Sequence, residues 1–280
     1  MARHRGVYNP EAGAPYELSR GKLENYIRCE ACYWLDRVRG VRFPSIPAFL
    51  LNTNTDTLLK KDFDRFRGKG PHPVMEAAGL SGLRPFAHQD MEKWESSLHF
   101  GASPDHFNTL HAETNILFGG GIDDVWEDTV TGLLHVVDYK STSQQSKSPA
   151  PLDTSFIAPP SDPDKTDYKA GYRRQMEMYQ WILRRKGFAV SDTGYFLYVD
   201  GQHASETGMI DERDPSQAWM RFATAVIPYE GDDSWVEETL VAAKQTLGKG
   251  SCPAHSPSCE YGAFLQQLGV DLTNSLRAGL

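Results

Sequence analysis

The chain has 280 residues, of which 40% are hydrophobic and 24% charged, and a formal net charge of -8. That length supports one large domain or two small ones, and the net negative charge counts against non-specific coating of DNA by the whole molecule without excluding a nuclease, whose clustered metal-binding carboxylates add negative charge. Four cysteines in a chain this long do not make a disulfide scaffold. No apolar run is long enough to span a bilayer, and the first ten residues, MARHRGVYNP, lack the apolar core of a signal peptide. A cytoplasmic protein with no membrane partner is expected.

Residues 1–16 hold Pro10, Gly13 and Pro15 with little periodicity and read as a loosely held arm. Ser19 is placed to cap a helix with Leu23, Tyr26 and Ile27 on its apolar side. Cys29 and Cys32, three apart, are expected at the far end of that helix and on one face. Tyr33, Trp34, Leu35 and Val38 extend the apolar surface before Pro44 and Pro47 interrupt the chain. Residues 49–67 read as a second helix, with Phe49, Leu51, Leu58, Leu59, Phe63 and Phe66 as apolar members and Asp56 among them. Residues 68–90, rich in Gly, Pro and His, read as an irregular connection. Mixed signals over 91–118 end in a strand at 113–118.

Residues 119–142, GGGIDDVWEDTVTGLLHVVDYKST, organise the rest of the chain. A glycine run leads to Asp123, a turn-rich middle contains Asp128 and Gly132, and the apolar run 133–137 ends in Asp138, Tyr139 and Lys140. Two strands joined as a hairpin thus each deliver an acid. Asp138 and Lys140, two apart on a strand, share one face, while Tyr139 points into a core with its carbonyl left near the site. Carboxylates at Asp123 and Asp138 suit a hard cation such as Mg²⁺ or Mn²⁺. Such a cation polarises a phosphoryl oxygen and lowers the pKa of water, and Lys140 is placed to orient that water or hold developing charge. The competing reading of Asp-Tyr-Lys alone is a surface hairpin with solvated charges; the Gly-x-Asp turn upstream favours a site.

Ser and Pro recur through 143–168, an insertion that directly follows Lys140 and either gates substrate entry or is a plain insertion. Residues 172–186, YRRQMEMYQWILRRK, make an amphipathic helix ended by Gly187. Gln175 and Tyr179, four apart, share a face and offer an amide and a phenol to a phosphate or the attacking water; the competing reading packs Tyr179 in the core. Strands are expected at 193–199 and 222–227, a helix at 234–247, and a last short helix after Cys252, His255 and Cys259.

Gly-Gly-Ile-Asp at 120–123, Asp-Tyr-Lys at 138–140 and Gln-x-x-x-Tyr at 175–179 resemble, in order and spacing, the PD-(D/E)XK nuclease superfamily. The pattern is most similar to the RecB-like branch, which includes the CRISPR-associated adaptation nucleases. The resemblance covers about residues 19–265. It implies an α/β protein with a restriction-endonuclease-like core, a central mixed β-sheet flanked by helices, in a single domain. It further implies a Mg²⁺- or Mn²⁺-dependent DNA nuclease, exonuclease-like, acting in repair, recombination or defence with a helicase or recombination partner. By this resemblance Asp123 and Asp138 bind metal, joined by the Tyr139 carbonyl, Lys140 assists the nucleophile, and Gln175 with Tyr179 contacts substrate. The branch carries a Gly-x-x-x-His element whose His is a metal ligand. Asn52 to Asp56 stands in its place, with Asn for Gly and Asp for His, which makes Asp56 the candidate third ligand.

The same branch often holds a four-cysteine iron–sulfur cluster that staples the two ends of the domain. Here the candidate clip is Cys29, Cys32, Cys252 and Cys259, a two-plus-two split. Position 262, where a further Cys is expected, is Gly, and Cys252 or His255 is left to complete the set. Thiolates with His suit Zn²⁺; four thiolates suit Zn²⁺ or an iron–sulfur cluster. Arg173 and Arg174 are candidates for phosphate contact, against the commoner solvated face. Glu113 reads as a solvated strand end, and His72, His88, His99, His106 and His111 show no ligand spacing. Two rival functions stand beside the nuclease. One is a catalytically inactive nucleic-acid-binding or scaffolding module of the same fold, suggested by Asp at the His position. The other is a small-molecule phosphohydrolase or another metalloenzyme using the same acids, suggested by the absence of an overall basic charge.

Overall fold

A computed structural model describes residues 6–41, 49–95, 103–144, 149–162, 164–203 and 208–278. The chain is a mixed α/β fold with a central β-sheet flanked by helices, and it divides into two compact units. The first comprises Met1–Ser45, Asn108–Gly119 and Ser234–Leu280; the second comprises Ile46–Phe107 and Gly120–Asp233.

In the first unit, β1 (Tyr16–Ser19) lies parallel to β4 (Ile116–Gly119), which pairs antiparallel with β3 (Asn108–His111). The β3–β4 hairpin turns at Asn115, whose φ of 52° lies in the left-handed region that Asn tolerates. β3 was not legible in the sequence, since four residues offer too few alternations to establish a period. Helices α1 (Arg20–Arg28), α2 (Glu30–Arg37) and α8 (Val236–Leu247) pack together. The single helix expected to carry both cysteines is two. Cys29 is extended, with φ -161° and ψ 109°, and is at once the end of α1 and the cap of α2. The ladder survives the break because the Cys29 N–H donates to Asn25 O and its carbonyl accepts from Tyr33 N–H. Ser19 stands at the N-cap of α1 but makes no side-chain capping bond. The last helix, α9 (Glu260–Ala278), is long, not short. Of the arm read at 1–16, residues 1–5 lie outside the described residues. Tyr8 donates its N–H to Arg37 O at 2.7 Å and packs edge-on against Tyr16.

In the second unit, five strands lie in the order β2 (Leu83–Pro85), β5 (Asp124–Asp128), β6 (Leu134–Thr142), β7 (Thr193–Gly201) and β8 (Phe222–Glu230). The β5–β6 hairpin is antiparallel, its turn fixed by Asp128, whose Oδ1 accepts the N–H groups of Val130 and Thr131, and by Gly132 at φ +72°. β6 and β7 are parallel, which requires a crossover. The amphipathic helix α7 (Ala170–Arg185) lies on that connection and ends before Gly187 at φ +93°. β8 returns antiparallel to β7. Helix α3 (Leu50–Asp64) packs across β6. Its anchor is Phe63, fully buried in a cluster with Trp126, Val137, Tyr139 and Leu197, and burying such a ring contributes roughly 1.5–3 kcal/mol. The connection at 68–90 also holds a short helix, α4 (Pro73–Ala77), besides β2, and α5 (Met91–Glu95) follows it. Part of the 143–168 insertion, residues 145–148 and 163, lies outside the described residues; the rest contains α6 (Thr154–Ile157).

Candidate functional sites

The second unit gathers a string of alternating charges where α3 meets the hairpin. Pairing of Asp124 with Val137 places Asp123 and Asp138 opposite one another, one step further along the ladder. Asp123 Oδ2 accepts the Tyr139 backbone N–H at 2.8 Å, and its Oδ1 lies 3.8 Å from Lys60 Nζ. Lys60 sits one turn after Asp56 on α3 and pairs with Asp56 Oδ2 at 3.2 Å. Asp138 is 1% exposed, pairs with Lys140 and accepts 2.9 Å from Gln175 Nε2 on α7. Alternation along β6 explains the arrangement. Tyr139 turns into the Phe63 cluster, where its hydroxyl donates to Asp124, while Asp138 and Lys140 occupy the other face.

Burial pushes the Asp138 carboxyl above the ordinary range; Lys140 opposes that rise and Asp123 adds to it. Asp56 is raised for the same reasons, by burial and by Asp123, against Lys60. Burial alone would lower the Lys60 pKa, but Asp123 and Asp56 outweigh it and raise it. Neighbouring carboxylates that resist ionisation are a donor set short of positive charge. Their hard oxygens fit a cation such as Mg²⁺ or Mn²⁺.

Tyr179 is placed otherwise than the acids. It is 2% exposed and packs edge-on to Phe107. It also lies directly under the glycine run. A Cβ on Gly120 would come within 2.9 Å of its ring, so Gly120 is glycine for close approach. Arg173 is buried, its guanidinium used by Asp167 and the Ile157 carbonyl, so it ties the insertion to α7. Arg174 is half-buried. Glu113 is exposed in the β3–β4 turn. His72 stacks on Phe63, His88 on Trp94, and His111 bonds Thr114, so each serves packing; His99 lies outside the described residues.

Three residues that the sequence did not single out support the acids. Asp124 is fully buried and accepts from Arg67, Tyr139 and Trp126. Arg67 also pairs with Glu95 at 3.2 Å. Burial raises the Glu95 carboxyl to about 7, with Arg67 opposing and Asp124 adding to the rise. A carboxyl raised in the folded state gives stability that is complete below its unfolded pKa and fades as pH climbs through the folded one. Glu95→Gln keeps an acceptor for Arg67 without the charge. Its melting temperature relative to the parent is expected to rise between pH 5 and pH 8, by an amount equivalent to roughly 2 kcal/mol. A difference constant with pH in thermal melts would contradict this.

The first unit holds a second cluster. The Cys29, Cys32 and Cys259 thiols and the His255 imidazole have ligand atoms all within 4.8 Å of one another. His255 Nδ1 lies 3.4, 3.7 and 3.5 Å from the sulfurs of Cys29, Cys32 and Cys259, and the last two sulfurs are 3.4 Å apart. Backbone N–H groups of Ser256 and Gly262 point at the Cys29 and Cys259 sulfurs. Burial opposes ionisation of Cys29, yet bonds from Cys32, Ser256, Cys259 and His255 lower its pKa. This Cys3His set can coordinate a metal ion. His255, not Cys252, takes the fourth place; Cys252 is exposed and outside the set. Gly262 makes the room. A Cβ there would meet the His255 ring carbon at 2.7 Å, so glycine at 262 and histidine at 255 go together.

No family model and no curated protein matches the chain. Among the described residues no helix is long and apolar enough to cross a membrane.

Proposed function

We propose that the protein is a Mg²⁺- or Mn²⁺-dependent DNA nuclease with a restriction-endonuclease-like core. The observation that carries this reading is the convergence of Asp123, Asp138, Lys140 and Gln175, from a hairpin and a crossover helix, with Asp56 approaching on α3. The strand pattern supports the fold assignment, since an antiparallel hairpin is followed by a helical crossover to a parallel strand. Asp123, Asp138 and the Tyr139 carbonyl would hold the divalent ion, which when bound polarises a phosphoryl oxygen and acidifies water. Gln175 holds Asp138 in one orientation by donating to Oδ1. Lys140, on the same face and beside the Tyr172 ring at 4.8 Å, is placed to stabilise charge that develops on the phosphoryl oxygens. Tyr179 serves by supporting the glycine run that delivers Asp123. A helicase or recombination partner belongs to this reading as a resemblance only.

Incubating the protein with linear and with circular DNA, with and without Mn²⁺, tests the proposal. Loss of linear DNA alone marks an exonuclease, and nicked circles mark an endonuclease. Cleavage that persists in Lys140→Ala would refute the site. DNA binding without cleavage points to the non-catalytic module, and turnover of nucleotides but not polymers points to a small-molecule phosphohydrolase.

For the thiolate cluster the fitting ion is zinc. A tetrahedral Zn²⁺ with Zn–S of about 2.3 Å sets its sulfurs roughly 3.8 Å apart and its nitrogen slightly nearer. The His255 Nδ1–sulfur separations of 3.4–3.7 Å and the Cys32–Cys259 separation of 3.4 Å suit a single ion held between the ligand atoms. An iron–sulfur cluster would interpose several atoms and demand a wider cage.

A further inference from the structure

The nuclease reading makes no use of Lys60. Its side chain is 19% exposed, and its ammonium stands between Asp56, at 3.2 Å, and Asp123, at 3.8 Å. A lysine near a surface ordinarily extends its ammonium into water; this one is turned inward to two carboxylates. We infer that Lys60 fills a second cation position, between Asp56 and Asp123, so that the site takes one divalent ion and Asp56 anchors Lys60 instead of the metal. This rests on the nuclease reading above.

The two oxygens of Asp123 face two different neighbours. Oδ1 faces Lys60, and Oδ2 accepts the Tyr139 N–H on the side of Asp138. Sites with two divalent ions clamp both the attacking and the leaving oxygen with ions about 3.5–4 Å apart. Here the gap on the α3 side already has its cation. Charge leads to the same conclusion. Asp56, Asp123 and Asp138 against Lys60 and Lys140 leave a single negative charge when all are ionised. A divalent ion turns that into a single positive charge, which one phosphodiester balances. A second divalent ion would face an uncompensated excess of positive charge in a half-buried setting, where repulsion is poorly screened. Lys60 thus supplies the charge of a second ion as a fixed part of the chain. Of its three N–H donors, one serves Asp56 and a second faces Asp123, which leaves one for a phosphate.

Mn²⁺ binding to the full chain, measured by calorimetry and by the loss of the free-ion paramagnetic signal, tests this without relying on turnover. The parent protein is expected to bind one EDTA-labile Mn²⁺. Asp138→Asn should lose it, Asp56→Asn should keep it within about threefold, and Lys60→Met should gain a second ion while Lys60→Arg does not. Two ions in the parent would overturn the inference, whatever the variants do. So would loss of the ion in Asp56→Asn as complete as in Asp138→Asn, or a single ion in folded Lys60→Met. If Asp138→Asn binds Mn²⁺ like the parent, the nuclease site itself is wrong, which separates that failure from failure of the Lys60 assignment.

Discussion

On the proposed nuclease reading, Asp138→Asn is expected to abolish metal-dependent DNA cleavage, by at least roughly 10²–10³-fold, because it removes a ligand of the proposed ion and not merely a neighbour of one. The same change should alter how stability responds to pH and to metal. The Asp138 carboxyl is raised by burial, with Lys140 opposing and Asp123 adding. Its contribution to stability is therefore complete below the unfolded carboxylate value of about 4 and fades as pH rises towards its folded pKa. Asparagine does not ionise. In the absence of divalent ions, the melting temperature of Asp138→Asn minus that of the parent should climb from pH 4 to pH 8. Added Mn²⁺ should raise the parent's melting temperature by binding only the folded state and leave the variant's unmoved. Equal Mn²⁺ shifts in both proteins would remove Asp138 from the site.

The second large effect concerns the Cys3His cluster. On the zinc reading, treatment with a strong chelator, or replacing Cys32 by Ser, is expected to cost on the order of 5 kcal/mol, since site formation and folding are one event in such clusters. Cys32 is the informative position because it is buried and touches both His255 and Cys259. Cys252→Ser, at an exposed thiol outside the set, should shift the melting temperature by no more than about 2 °C. Metal analysis of the purified chain should return one zinc per molecule and no band in the visible spectrum. A brown protein with iron and sulfide would replace zinc with an iron–sulfur cluster. A colourless, metal-free protein that melts at the same temperature would end the metal assignment.

The hairpin acids were legible because strand alternation is a local rule. Asp138 and Lys140 fall on one face, and Tyr139 on the other, whatever the rest of the chain does. The helices at 50–64 and 170–185 were legible for the same reason, through periodic apolar residues. Lys60 was within reach too, since it is four residues from Asp56, but charged pairs at that spacing are common on solvated helices and gave no reason to choose it. Asp124, Arg67 and Glu95 could not be assembled in advance. They come from β5, from just after α3 and from α5, and only tertiary packing brings them together. The cysteine reading had the right ends of the chain and left the fourth ligand open. What decides it is steric, the space beside Gly262 that admits an imidazole, and spacing carries no information about that space.

The Cys3His set joins residues separated by 226 positions in the chain, Cys29 to His255. On a ribosome, the whole of the unit made from 46–107 and 120–233 is synthesised between the two halves of this set. Cys29 and Cys32 must wait as an incomplete pair of thiols until His255 and Cys259 emerge, so a metal ion coordinated by the full set would close it as a late step. In the unfolded chain this closure removes the entropy of a very long loop, a cost that grows only slowly with length. A chain halted before Cys259 keeps every acid of the candidate nuclease site and still lacks its clasp. A metal ion coordinated by all four groups would therefore report that synthesis has run past Cys259.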